Sequence, residues 1–133
     1  MFNILLTACL LLITGCAAVE NLSAKKYLEK DYQREWCESV GGKMEVVLED
    51  GARVDCLTDE YAIEVDYAKK WAESIGQSLY YAAMTKRKPG VLLITRGAKD
   101  QRYLTRLQAV AKISNITIWT TPFIPTATAS KQL

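Results

Sequence analysis

An α/β domain built on a mixed sheet is the fold class this chain predicts. Three observations carry it. Helical and strand patterns alternate along the second half, an Asp50-Gly51 turn separates two β-rich runs, and Val91-Leu92-Leu93-Ile94-Thr95 is almost wholly apolar. An apolar run of that length marks a strand covered on both faces, as in parallel pairing, and so the centre of a sheet.

Taken in order, residues 22–40 carry Tyr27, Leu28, Tyr32 and Trp36 at helical spacing, and Gly41-Gly42 stops the pattern as a C-terminal cap does. Residues 43–49 and 53–57 read as two strands, and the Asp-Gly turn between them makes a hairpin. The third strand, 61–66, alternates, so Glu64 and Asp66 point to one side. The clearest helix is 68–85, with Ala68, Ala72, Ile75, Leu79 and Ala82 on its core stripe and Trp71 beside it. Lys86 to Gly90 breaks that helix before the central strand, 91–95. A last helix, 100–114, turns Tyr103, Leu104, Leu107, Val110 and Ala111 inward, a last strand covers 116–120, and the chain from Pro122 reads as a loose tail.

The ends bound the compartment. The first fifteen residues have no charged side chain, and their apolar stretch is too short for a permanent membrane span, so they read as a secretory signal. Ile13-Thr14-Gly15-Cys16 resembles a bacterial lipobox, which makes Cys16 the lipidated mature N-terminus. The n-region Met1-Phe2-Asn3 departs from that pattern in having no Lys or Arg; the other reading is a buried apolar helix with Cys16 a core thiol. The expected layout is a signal peptide at 1–15, a tether at 16–25, one domain at 26–121 and a flexible tail at 122–133. The protein would then be a periplasm-facing lipoprotein of the bacterial envelope, held to the membrane through Cys16, or secreted if not lipidated.

Of the four cysteines, Cys9 leaves with the signal and Cys16 carries the lipid, so Cys37 and Cys56 remain as one pair. In an exported chain that pair is a disulfide candidate; in a reducing compartment it is two buried thiols. Two cysteines and no histidine do not make a zinc site. The absence of histidine also excludes histidine triads and histidine phosphotransfer, so any catalysis runs on carboxylates, lysines, tyrosines or a bound metal.

The net charge of +2 hides an asymmetry. Residues 16–83 hold 8 basic and 14 acidic side chains, −6, whereas residues 84–133 hold 9 basic and 1 acidic, +8. One reading is an acidic metal cluster beside a basic surface for phosphate; the other is two faces attracting each other within the domain.

The acids have a recognisable order. Asp55 ends the second strand, Glu64-Val65-Asp66 ends the third, and the next helix carries Gln77-Ser78-Leu79-Tyr80-Tyr81. From the residues alone, Asp55 and Glu64 read equally as a solvated strand end or as ion-pair partners of Arg53 or a lysine. The αβββαβ order with these motifs resembles the PD-(D/E)XK nuclease core over roughly 27–120, and the helix motif is similar to the QxxxY element of its exonuclease branch. Residues 53–82 look like a bacterial and phage branch of that superfamily. The resemblance implies a restriction-endonuclease-like mixed sheet, here with an additional C-terminal helix and strand.

It also implies chemistry. Asp55 and Glu64 would hold Mg²⁺ or Mn²⁺, with the Val65 carbonyl as a further ligand, so that the metal polarises a phosphodiester and acidifies its water. The substrate would be nucleic acid, DNA before RNA. The family lysine is replaced by Asp66, and Lys69 or Lys70 of the next helix would stand in for it. At about 100° per residue, Lys70 and Gln77 lie only ~20° apart around a helix and Lys69 and Gln77 ~80°, which selects Lys70. Gln77 would bind phosphate or base, with Tyr81 in support. By periodicity alone, the Lys70, Ser74, Gln77, Tyr81 stripe is a solvated face. Glu35, Glu38 and Glu45 are candidates for a second ion, and Lys86, Arg87, Lys88, Arg96, Lys99, Arg102 and Arg106 for a nucleic-acid backbone. Cys56 follows Asp55, so its side chain points to the opposite face, toward a helix bearing Cys37. The functional expectations are a metal-dependent nuclease, a non-catalytic binding module on the same fold, and a structural envelope lipoprotein with no nucleic-acid role.

Overall fold

The computed structural model describes residues 27–125. The signal segment, Cys16, the tether and residues 126–133 lie outside the described residues. Within them no helix is long and apolar enough to cross a membrane.

Asp50-Gly51 does what its chemistry dictates. Gly51 takes φ +86°, the Asp50 carboxylate accepts the Ala52 N–H at 3.0 Å, and the chain folds back on itself. Strands β1 (Lys43–Val47) and β2 (Arg53–Leu57) thereby pair antiparallel, Lys43 opposite Leu57 and Val47 opposite Arg53. Strand β3 (Tyr61–Tyr67) continues the meander, and β4 (Lys88–Thr95) and β5 (Thr117–Pro122) add in parallel, giving one five-stranded sheet in the order β1-β2-β3-β4-β5. The fold is α/β, with three helices on a mixed sheet. Strand β4 is buried between β3 and β5, as its apolar run requires.

Helix α1 (Glu29–Ser39) covers one face of the sheet. Tyr32 and Cys37 pack there on Cys56, Ile63, Val65, Leu92 and Ile94. Cys37 and Cys56 form a disulfide, Cα atoms 5.7 Å apart, that pins the helix to β2. Tyr27 and Leu28, expected within the helix, lie before it, because the Asp31 carboxylate accepts the Leu28 backbone N–H at 2.9 Å and caps the helix there. Residues 22–26 of the expected helix lie outside the described residues.

Helices α2 (Trp71–Thr85) and α3 (Gln101–Ser114) cover the other face, over Val91, Leu93, Leu107 and Ile116. Of the core stripe expected for α2, Ala68, Ile75 and Ala82 pack inward, with Trp71 beside them, and the rest is displaced. Ser74, Ser78, Tyr81 and Ala82 are buried, while Ala72 and Leu79 are exposed. The serine hydroxyls donate to carbonyls of their own helix, Ser74 to Lys70 at 3.0 Å and Ser78 to Ile75 at 3.1 Å, which makes their burial tolerable. The sheet beneath carries Glu64 and Asp66, so a polar stripe faces a polar patch. Residues 68–70 form a separate 3-10 turn rather than the first turn of α2. Strand β5 runs on to Pro122, and the chain past it is tied as far as Ile124: the Phe123 N–H donates to Thr95 O at 2.8 Å and the Ile124 N–H to the Tyr32 hydroxyl at 2.7 Å.

Candidate functional site

The ladder between β2 and β3 is regular at Cys56–Ile63 and Leu57–Ala62 and opens beyond them. At the opening, the Asp55 carboxylate accepts the Val65 backbone N–H at 2.8 Å. Glu45 opposite has φ +53°, an unusual backbone for a non-glycine residue. Gln33, buried on α1, bridges β1 and β2 there, its amide donating to Glu45 Oε1 at 2.7 Å and to Asp55 O at 2.8 Å. The local distortion shows in the packing. Val54 and Cys56, two residues apart, join different clusters, Val54 with Tyr81 of α2 and Cys56 with Cys37 of α1.

Glu64 and Asp66 leave β3 toward α2. Glu64 is 5 % exposed, and its Oε2 is buried without a hydrogen-bond partner. Burial first, then the charges of Asp55 and Asp66, push its carboxyl from 4.5 up to about 9. Asp55 rises to about 6, chiefly through burial and in spite of the Val65 N–H that favours its charge. Asp66, 2 % exposed, is likewise raised by burial, while Lys70 opposes the shift from 3.2 Å. Hydrogen bonding to Asp66 raises the Lys70 ammonium in turn.

Sequence reasoning missed a fourth acid. Glu29, in the first turn of α1, is pushed up to about 7 by burial and by Asp66. Of the acids considered for a second ion, Glu35 accepts the Tyr27 hydroxyl at 2.6 Å, Glu38 is exposed, and Glu45 is bound to Gln33 and to Arg53 at 3.1 Å. Only Glu45 is among the main influences on Asp55. Nothing in the spacing of residue 29 marks it; its approach to Asp66 is a product of the fold.

Lys70 lies at the acids and Lys69 does not, although the reason differs from a helical wheel. The 3-10 turn ends at Lys70, which is the N-cap of α2 and reaches back four residues to Asp66. Tyr81 is buried beside Val54, its phenol raised first by burial and also by the charges of Glu64 and Asp55. The exposed Gln77 donates to the Tyr81 hydroxyl at 3.4 Å. The basic residues do not form one stripe. Lys88 pairs with Glu60 at 2.6 Å and Arg87 Nε donates to Thr58 O, both at the amino end of β3; Arg96, bound to Asp100, lies past the carboxyl end of β4.

Among the described residues no group of three or more acidic or thiol side chains is disposed to hold a metal ion. Asp55 and Glu64 do interact, and the unpartnered Glu64 oxygen is a free donor at that pair. A Mg²⁺-type ion uses one or two protein carboxylates and fills its remaining positions with water. The donor set fits such an ion and does not fit a caged, all-protein site. No family model matches the chain, nor does any curated protein or solved structure. The site's own chemistry carries the functional reading.

Proposed function

We propose that the protein is a divalent-metal-dependent nuclease that hydrolyses phosphodiester bonds in nucleic acid, DNA before RNA, on a PD-(D/E)XK-like core. One observation carries the reading: a buried glutamate with an unpartnered oxygen stands against a second carboxylate, at a point where the sheet opens to admit both. Burial and the charges of Asp55 and Asp66 disfavour the ionised form of Glu64, and a hard cation is the partner that restores it. Asp55 and Glu64 would hold the ion, with Val65 offering its carbonyl. When bound, Mg²⁺ or Mn²⁺ supplies Lewis acidity at the phosphoryl oxygen and a lowered pKa for water.

The chain's own residues do the rest. Gln33 and the Val65 N–H fix Asp55 before substrate arrives. The Lys70 ammonium, anchored by Asp66, orients the attacking water or offsets charge developing on the phosphoryl oxygens. Water adds to phosphorus as the bond from phosphorus to the leaving oxygen breaks, and the proton that the water gives up is made good, through solvent, on the leaving oxygen. Gln77, exposed on α2, contacts phosphate or base, and Tyr81 steadies its amide.

One observation favours a second reading, a non-catalytic binding module: Asp66 stands where the family has its lysine and pairs with the lysine nearest the site. Cleavage of single- and double-stranded DNA by the purified protein in Mg²⁺ or Mn²⁺ separates the two. Cutting that disappears in EDTA and in Asp55→Asn supports the nuclease. Salt-sensitive DNA binding without cutting supports the module.

A further inference from the structure

Next to the carboxylates, at the carboxyl ends of β3 and β4, lies a cavity of about 280 Å³. In open α/β sheets, the carboxyl ends of parallel strands are where ligands enter. The walls of this cavity combine two chemistries. Lys69, Lys70 and Arg96 supply cations, and Tyr67 and Phe123 supply rings whose centroids are 6.3 Å apart. Among the described residues Asp100 is the only acid on the wall, and it is committed. Its buried carboxylate accepts from the Arg96 backbone N–H at 2.8 Å, from Nε at 3.2 Å and from Nη2 at 3.1 Å, which fixes the guanidinium in advance. Lys70 is held by Asp66, while Lys69 makes no ion pair among the described residues.

We propose that this cavity binds a nucleoside monophosphate group, as a strand end or as the free nucleotide, with the phosphate against Lys69 and Arg96 and the base against Tyr67 and Phe123. The assignment rests on the nuclease reading, since Lys70 borders both the cavity and the acids. A phosphate monoester carries nearly two negative charges at neutral pH, about twice that of an internal diester, and so matches two cations. Aromatic faces beside cations suit a base joined to that phosphate. The volume falls just under the range of about 300–1,000 Å³ that holds drug-sized ligands, which admits one nucleotide and not a run of them.

Calorimetric titration of the full chain with adenosine 5′-monophosphate, adenosine and inorganic phosphate tests the proposal. The monophosphate is expected to bind roughly tenfold or more tightly than either fragment. Lys69→Glu should weaken it by a similar factor and flatten its salt dependence. Phe123→Leu, which keeps apolar bulk and removes the ring face, should weaken the monophosphate and leave inorganic phosphate unchanged. A short oligonucleotide with a terminal phosphate that displaces the monophosphate identifies the strand end; failure to displace it identifies the free nucleotide. Monophosphate binding no tighter than phosphate, or indifferent to Lys69→Glu, overturns the proposal. Asp55→Asn keeps the two ideas apart, because it should abolish cleavage and leave monophosphate binding intact. Binding by a protein that never cuts DNA would sink the nuclease reading alone, and cutting without binding would sink the cavity alone.

Discussion

The Asp55 carboxylate stands in for a ladder carbonyl, accepting the Val65 N–H at 2.8 Å where β2 parts from β3. One side chain thus both completes the strand's hydrogen bonding and presents its other oxygen to the acids on β3. Asp55→Asn keeps an acceptor for Val65 and removes a buried ionisable group, so its thermal stability should be at or above that of the wild type while cleavage is lost. Asp55→Ala leaves a buried N–H unsatisfied and should cost about 1–3 kcal/mol as well. Thermal melts of both variants beside cleavage assays check the split; equal destabilisation would show that the Val65 bond is not the reason.

Glu64 makes stability depend on pH in a definite direction. Its folded carboxyl titrates near 9 and that of Asp55 near 6, against ordinary values of 4.5 and 3.8, so over that interval the folded state binds more protons than the unfolded chain. Stability therefore falls as pH rises from about 4 toward 9 in the absence of metal. Glu64→Gln removes the cost of keeping a buried carboxyl protonated at pH 8 and should raise the melting temperature there by several degrees, about 4–8 °C per kcal/mol for a domain of this size. Mn²⁺ should raise the wild-type melting temperature at pH 8 and leave that of Glu64→Gln unmoved. A flat pH profile in EDTA would contradict the assignment.

The two lysines after β3 should separate kinetically. On the proposed nuclease reading Lys70, 3.2 Å from Asp66, would act at the reacting phosphate, so Lys70→Ala is expected to lower kcat by about 10²-fold or more. Lys69 faces the neighbouring cavity, so Lys69→Ala should raise KM with little change in kcat. Steady-state cleavage of an oligonucleotide measures both. A reversed pattern would place the catalytic ammonium on the wrong residue.

The disulfide sets a packing constraint as well as a crosslink. A Cβ added at Gly42 would stand 2.5 Å from Cys56 Sγ and 2.7 Å from Cys37 Sγ. Gly42→Ala is therefore expected to cost about 1–3 kcal/mol by overpacking. In a Cys37→Ala, Cys56→Ala background, itself roughly 3 kcal/mol less stable for a span of 19 residues, the alanine should be nearly neutral. Denaturant melts of the four proteins give the coupling; strict additivity would mean the clash is relieved elsewhere.

What the sequence makes legible is set by short-range chemistry. The Asp50-Gly51 turn, the alternation of β3 and the apolar run of β4 each fix an element from its own residues, and the sheet follows. The start of α1 escapes periodicity, since a single carboxylate, Asp31, caps Leu28. The displaced part of the α2 stripe escapes it for a different reason. Counting apolar residues assumes an apolar surface beneath, whereas Glu64 and Asp66 make that surface polar and draw Ser74 and Tyr81 inward. Glu29 and Gln33 reach the site only because α1 lies across the opening of the sheet, a relation between distant segments that no local spacing encodes.

Calorimetric titration of the chain with Mn²⁺ at neutral pH, repeated in buffers of different ionisation enthalpy, measures whether Asp55 and Glu64 are a cation site. The pair should bind one ion with net proton release, because an acid held protonated by its neighbour must ionise to become a ligand. Glu64→Gln should abolish both the binding and the released proton. Absence of Mn²⁺ binding to the wild-type chain, or binding that survives Glu64→Gln unchanged, would contradict the account.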